Sequence, residues 1–375
     1  MSKPSLLKKL NLKYPIFQSP MAGVSTPEMA SAVAAAGGLG ALPLATLDFT
    51  QDSVTAFEKL DKLVEATGTN AVNLNFFCHE VESPPSQVQA DNWKALYRNV
   101  IADAKFKQVI DSTKFANGNI SFKEIERDQD KLAKLVDKLK SIKPSIISFH
   151  FGIPSNNIID ELKKIALVFA TATSLQEARH LKSNGIDGII LQGIEAGGHR
   201  GQFIDTFQPH LDEDLSTQAL FHKVKQSLAN DGIYLVPAGG ITSPNSVKYY
   251  LNQGADAVQI GTAFLATPES SSSKFFTKYS GEESTVMTAL VSGKPARCVR
   301  TPFIDDVVQK NQFPLSDLPP YGYAYDAYKK LKGELGANGG AGEDIGFYLA
   351  GQNHFQLRKG KSTSEVMQEL TRELA

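Results

Sequence analysis

A chain of 375 residues, 42% hydrophobic and 21% charged, can bury a sizeable core and lacks the charge excess of a disordered segment. Its formal net charge of −1 provides no overall attraction to nucleic acid or to an anionic membrane, so neither is expected as a partner. The two cysteines, Cys78 and Cys298, are too few for a zinc site of their own or for a secreted disulfide framework, which favours a reducing compartment.

The amino-terminal MSKPSLLKKLNLKYPIF holds no uninterrupted apolar run before a small-residue cleavage site, and no later stretch approaches the roughly 20 apolar residues that span a bilayer. A cytoplasmic protein is expected, the early lysines leaving an organellar address open. The first unit runs from IFQSP through the loop MAGVS to an alanine-rich helix opened by Pro27 and Glu28, with Thr26 as N-cap and Gly37 as stop. GALPL then reads as a strand, Phe57 to Gly68 as a helix, and NAVNLNFF as a strand rich in β-branched and aromatic residues. Glu80 to Asn92 reads as a loop, while Trp93 to Ile110 and Glu124 to Leu139 carry apolar residues at helical spacing.

From Pro144 the rhythm is regular. The strand SIISFHFG, a helix near Asn157 to Lys164, the strand ALVFATA and a helix from Ser174 to Asn184 with capping-box spacing lead to the strand IDGIILQG. A helix from Leu220 to Asn230, the strand IYLVPAGG, a helix from Pro244 to Gln253 capped by Ser243, and the strand ADAVQIGTAFL complete the series. Short strands alternating with helices call for a parallel sheet, and a count near eight favours a closed (β/α)8 TIM barrel over an open doubly wound sheet. The domain expectation is a barrel core over 1–267 with a helical insertion near 80–130, a substrate-side lid or appendage over 268–335, and a segment over 336–375 packing back on the barrel.

Barrel sites lie at the carboxyl ends of the strands. Those ends present Met21, Ala22 and Gly23; Asn73 or Asn75; His150; Gln192, Gly197, Gly198 and His199; Gly239 with Gly240; and Gly261 with Thr262. PAGGI before a helix and QIGTAFL suit a phosphate, because small residues let backbone N–H groups approach an anion, although tight turns explain the same glycines. Amide side chains at Asn75 and Gln192 with the Met21 loop point towards a flavin, although Asn75 also suits a helix cap and Met21 ordinary core. His150 and His199 have neither HExxH spacing nor a third nearby ligand, so no metal is expected; each is a proton acceptor or a satisfied structural histidine. Tyr321, Tyr325 and Lys329 recur every four residues and share a face if that stretch is helical.

Together, PMAGVSTPEMASAVAAAGGLGAL, NLNFF, SFHFG, QGIEAGGHRG, PAGGI, QIGTAF and FYLAGQ resemble the nitronate monooxygenases, once called 2-nitropropane dioxygenases, in their first-class, fungal-like branch. The resemblance implies an FMN enzyme on a TIM barrel that oxidises alkyl nitronates, propionate 3-nitronate among them, with O2 to a carbonyl product and nitrite through a flavin semiquinone. It implies further that Met21, Ala22 and Gly23 lie under the flavin, that Asn75 and Gln192 meet the ring edge, and that Gly197 is a close backbone contact. Gly239, Gly240, Gln259, Ile260, Gly261 and Thr262 would be phosphate-side binders; His150, His199, Tyr321, Tyr325 and Lys329 would form the active site. The alternatives are an FMN-dependent NAD(P)H:quinone reductase and a barrel without turnover. The oligomeric state is left between monomer and homodimer.

Overall fold

The computed structural model describes residues 5–51, 54–101, 103–204, 212–228, 232–279, 281–337, 342 and 344–374. Eight parallel strands carry the architecture: β1 (Ile16–Gln18), β2 (Gly40–Pro43), β3 (Val72–Phe77), β4 (Ile146–His150), β5 (Leu167–Ala172), β6 (Gly188–Gln192), β8 (Tyr234–Ala238) and β9 (Val258–Ile260). They stand in the order β1-β9-β8-β6-β5-β4-β3-β2. The ring closes through a parallel bridge between Phe17 and Leu39, where Gln18 N–H donates to the Leu39 carbonyl and Leu39 N–H to the Ile16 carbonyl, both at 2.9 Å. This is the expected TIM barrel.

Period-two alternation explains the two layers of core. Outward residues such as Leu74, Phe76, Ile147, Phe149, Val168 and Leu191 join the helices in one apolar cluster, while Phe17, Ile146, Phe169, Ile190, Tyr234 and Val236 fill the barrel interior. Leu6 and Leu10 of α1 (Leu6–Leu10) join that interior cluster. Along each strand the inward series turns from apolar to polar: Ile146 gives way to Ser148 and His150, Phe169 to Thr171, and Ile190 to Gln192. The chemistry is therefore confined to the carboxyl ends.

The barrel helices are α2 (Pro27–Ala35), α3 (Val54–Thr67), α7 (Gln129–Ile142), α8 (Asn156–Lys163), α9 (Leu175–Ser183), α10 (Thr217–Leu228) and α11 (Pro244–Asn252). Thr26 and Ser243 cap α2 and α11 as expected, accepting from Met29 N and Ser246 N. The expected end of α10 at Asn230 lies outside the described residues.

Several local expectations change. The helix expected over Glu124 to Leu139 is divided between α6 (Phe122–Ile125) and α7, and the strand expected over ADAVQIGTAFL ends at Ile260, with a 3-10 turn (Thr262–Phe264) after it. The loop expected over Glu80 to Asn92 already contains the start of α4 (Gln87–Val100), because Ser86 and Gln89 form a capping box. The single helix expected over Trp93 to Ile110 is broken after Val100, resuming as a 3-10 turn (Ala104–Phe106) and α5 (Lys107–Ser112). At Ser174 the expected capping box is half made: Ser174 Oγ accepts from Glu177 N, but the Glu177 carboxylate turns elsewhere.

The insertion and the later chain share a second apolar core. Trp93, Leu96 and Tyr97 of α4 and Ile110 of α5 pack with Phe303, Ile304 and Val307 of α13 (Pro302–Lys310) and with Tyr328, Leu331 and Leu335 of α14 (Tyr323–Ala337). β10 (Thr285–Thr288) and β11 (Ala296–Val299) form an antiparallel hairpin that adds β7 (Gly198–His199) as a third strand. The final helix, Thr363–Thr371, returns Val366, Met367 and Leu370 to the main core.

Candidate active site

A cavity opens at the carboxyl ends of the strands. Met21, Ala22 and Gly23 line it from the loop after β1, Asn75 from β3, His150 from β4 and Gln192 from β6. Gly197 and His199 follow, with Gly239 and Gly240 after β8 and Gln259, Gly261 and Thr262 at β9. Tyr325 and Lys329, one turn apart on α14, close it from the other side. Two expected residues do not line it: Ile260 packs into the barrel and helix core, because its side chain faces outward, and Tyr321, which precedes α14, stands one ring behind.

His199 is the most heavily framed of these groups. Its Nε2 lies 2.9 Å from Ser292 Oγ, and its ring meets those of Tyr325 at 5.3 Å, Tyr321 at 5.4 Å, Phe151 at 6.1 Å and Phe347 at 6.4 Å. The backbone that carries it is held from three directions. Pairing of Ala296 with His199 fixes it to the hairpin. Gln192 Nε2 donates to the His199 carbonyl at 3.0 Å while Gln192 Oε1 accepts from Gly201 N at 2.7 Å. Arg200, 3% exposed, is locked to Asp212 at 2.7 and 2.9 Å and donates to the Gln192 carbonyl.

Glu177 completes this frame. Its buried carboxylate accepts from Thr173 N and Oγ1 and, across the loop, from Phe203 N at 2.6 Å and Ile204 N at 3.1 Å. Burial pushes this carboxyl up, and the hydrogen bonds oppose that shift.

His150 is differently occupied. Its Nε2 lies 3.2 Å from the His199 carbonyl, which can only accept, so Nε2 carries the proton and Nδ1 accepts from Thr171 Oγ1 at 3.0 Å. Burial lowers its pKa to about 4, the bond to the His199 carbonyl partly opposing. Burial lowers His199 to about 3, reinforced by His150, Lys294 and Lys329, so both imidazoles are neutral at physiological pH. Phe151, with φ +71°, sits in backbone that an aromatic residue rarely adopts; this puts its ring 4.4 Å from His150.

No aspartate or glutamate lines the cavity among the described residues. Glu195, within the QGIEAGG stretch, turns its carboxylate to Thr217 N and Oγ1 at 2.7 and 2.8 Å. The cationic side is Lys329, whose Nζ donates to Asn119 Oδ1 at 3.2 Å and lies 4.8 Å from the centre of the Tyr325 ring. Lys294 stands behind it, 5.3 Å over Phe151 and 5.8 Å over Tyr321.

The opposite end is built for an anion. Gly239 and Gly240 have φ +121° and +68°, and among the described residues no turn or loop hydrogen bond takes the Gly240 N–H, which lies beyond the last β8–β9 pair, Ala238 with Gln259. A Cβ on Gly239 would meet Ala196 N at 3.0 Å, and one on Gly240 would meet Glu195 Cβ at 3.3 Å. Gly197 is required for another reason, since a Cβ there would meet the Ala350 carbonyl carbon at 2.5 Å. The carboxyl-terminal segment thus reaches the site, and Asn353 Nδ2 binds the Gly240 carbonyl at 2.6 Å.

Several lining or supporting residues carried no local signal in the sequence: Asn119, Ser148, Thr171, Ser292, Lys294 and Asn353. They meet the site only because distant segments pack together. An inward-facing parity count on β4 and β5 could have found Ser148 and Thr171.

An α/β barrel with a neutral histidine pair, no acidic side chain among the described residues of its cavity wall and a glycine cradle at its late strands has the features of the flavin-binding barrel oxidoreductases. The chain belongs to the nitronate monooxygenase family and is an enzyme of that type: the family's sequence model, described as "Nitronate monooxygenase", matches residues 3–373. A Saccharomyces cerevisiae protein provisionally given that name is 42% identical, over 97% of this chain and 91% of its own. A nitronate monooxygenase of Paraburkholderia phytofirmans is 35% identical, over 99% of this chain and 95% of its own. Among solved structures, a nitroalkane oxidase from Streptomyces ansochromogenes superimposes with a TM-score of 0.78 at 28% identity, covering 99% of this chain and 98% of that one. FabK from Thermotoga maritima shares the fold, at a TM-score of 0.65 and 23% identity, covering 100% of this chain and 96% of that one.

Proposed function

We propose that the flavin is FMN and that the enzyme oxidises anionic alkyl nitronates, propionate 3-nitronate among them, with O2 to a carbonyl compound and nitrite. The observation that carries this reading is the charge of the wall: a cavity with Lys329 and neutral histidines but no carboxylate among its described lining residues favours an anion at both ends. The Gly239–Gly240 turn, with Gly261 and Thr262 beside it, suits the FMN phosphate, and Met21, Ala22 and Gly23 suit the face of the ring. Asn75 donates to Ser148 and keeps its carbonyl oxygen for the ring edge; the Gln192 amide is committed to the His199 loop.

A bound FMN supplies the acceptor for the nitronate's electrons and their passage to O2. The chain's own residues do the rest. Lys329 holds the anion, Tyr325, Tyr321 and Phe151 exclude water around it, and His150 holds the carbonyl of His199. A nitronate has already lost its α-proton and needs no base. A neutral nitroalkane does, and neutral His199 is the group at the wall able to take that proton. The segment 268–335, which carries Tyr321, Tyr325 and Lys329, is the lid over the substrate.

Anaerobic mixing of the yellow holoenzyme with propionate 3-nitronate should change the flavin spectrum within the dead time to seconds of stopped flow, whereas NADH should leave it oxidised. Rapid bleaching by NADH with no response to the nitronate would instead make the protein a quinone reductase.

A further inference from the structure

We infer that Ser292 is a positioning residue that holds neutral His199 as its Nε2–H tautomer, presenting a bare Nδ1 to the cavity. The inference rests on proton accounting at one buried hydroxyl. Ser292 Oγ lies 3.0 Å from the Lys294 carbonyl and 2.9 Å from His199 Nε2, and the residue is 0% exposed. A carbonyl oxygen only accepts, so the single serine proton goes to Lys294. What Oγ has left for the imidazole is a lone pair, and Nε2 must then be the nitrogen that carries hydrogen. A neutral imidazole has one N–H, which leaves Nδ1 unprotonated. The reverse tautomer would turn the serine proton to Nε2 and strip the Lys294 carbonyl of that donor.

Two further observations agree. His199 lines the cavity, yet its Nδ1 is not among the buried polar atoms that lack a partner, and no described group hydrogen-bonds to it, so the bare nitrogen is open to a ligand. Ser292 is also rigidly tied to its histidine. It sits in the connection between β10 and β11, where Gly293, at φ +84°, donates to the Ala289 carbonyl at 2.8 Å, and the same sheet pairs Ala296 with His199. His150 makes the contrast, because Thr171 occupies the nitrogen that His199 leaves bare.

The inference rests on the reading of His199 as proton acceptor only for its kinetic consequence. Histidine labelled with 15N in the holoenzyme, with the His199 resonances assigned by their loss in His199→Asn, should show a protonated Nε2 and an unprotonated Nδ1 at every pH above about 6. In Ser292→Ala the two nitrogens should move towards averaged shifts, and Ser292→Thr, which keeps the hydroxyl, should restore the wild-type pattern. The rate with a neutral nitroalkane should fall about tenfold in Ser292→Ala, that with the preformed nitronate by less than about twofold, and the threonine variant should recover both. A wild-type spectrum with hydrogen on Nδ1, or a mixture of tautomers, overturns the inference, as does a Ser292→Ala spectrum unchanged from wild type; an equal loss on both substrate forms overturns the base reading alone. If Ser292→Ala does not fold, the wild-type spectrum decides. If the tautomer is as stated while His199→Asn keeps full activity on the neutral nitroalkane, the tautomer lock stands and the base reading falls.

Discussion

At the residue scale the site is a contest between burial and charge. Lys329 is the cation of the cavity wall, yet its Nζ is partnered by a neutral amide, Asn119, and a ring, Tyr325. Burial lowers its pKa, and a lysine so placed gains most when an anion arrives. Lys329→Ala should therefore raise KM for a nitronate about tenfold or more while the flavin stays bound, because the cradle at Gly239 and Gly240 lies at the other end. Steady-state kinetics beside the absorbance ratio of protein to flavin make the check; loss of flavin at unchanged KM would move Lys329 to the cofactor.

At the element scale, two connections decide whether the barrel becomes an enzyme. The β8–α11 turn needs left-handed backbone at Gly240. Gly240→Val places a β-branched residue there at a cost of about 1–2 kcal/mol and sets a Cβ against Glu195. The expected outcome is a folded barrel that elutes with little flavin, read from the visible spectrum; full occupancy would remove this turn from the cofactor site.

The second connection runs from α9 to the loop after His199. Glu177→Gln replaces an acceptor-only group by one whose NH2 faces backbone donors, costing about 1–3 kcal/mol for buried groups so left. Denaturant unfolding should show that loss, and turnover should fall because Phe203 and Ile204 are released. Unchanged turnover at reduced stability would confine Glu177 to the fold.

At the scale of the whole molecule the histidines set the acid limit. Burial holds His79 at about 3, His150 at about 4 and His199 at about 3, against 6.5 for an ordinary imidazole. Between those values the unfolded chain binds protons that the native chain does not, so stability rises with pH. The destabilisation is absent above 6.5 and grows as pH falls towards the folded values, by up to about 1.4 kcal/mol per pH unit for each histidine. Urea midpoints should drop steeply from pH 7.5 to 5. His79→Phe, which removes one buried imidazole outside the cavity lining, should flatten that slope by about a third; an unchanged slope would assign the acid limit to other groups.

The alternation of short strands with helices, the inward change from Ile146 to His150 and from Ile190 to Gln192, and the glycine pair after β8 were legible in the amino-acid order. All are local or periodic features, and a closed parallel barrel is the arrangement that buries both faces of such strands. Other features are not local. Asn119 meets Lys329 across 210 positions and Ser292 meets His199 across 93, and neither spacing carries a period that a sequence displays. Glu177 shows the limit from the other side: its spacing from Ser174 announces a capping box, and a loop some 26 residues on captures the carboxylate instead. Local preference for a cap is about 1 kcal/mol, and several buried N–H groups without another acceptor outweigh it. The sequence by itself determined the barrel and the end of it where chemistry sits. Only the tertiary structure decided which distant donors and acceptors meet there, because that choice is made by the packing of the insertion, the hairpin and α14 into one second core.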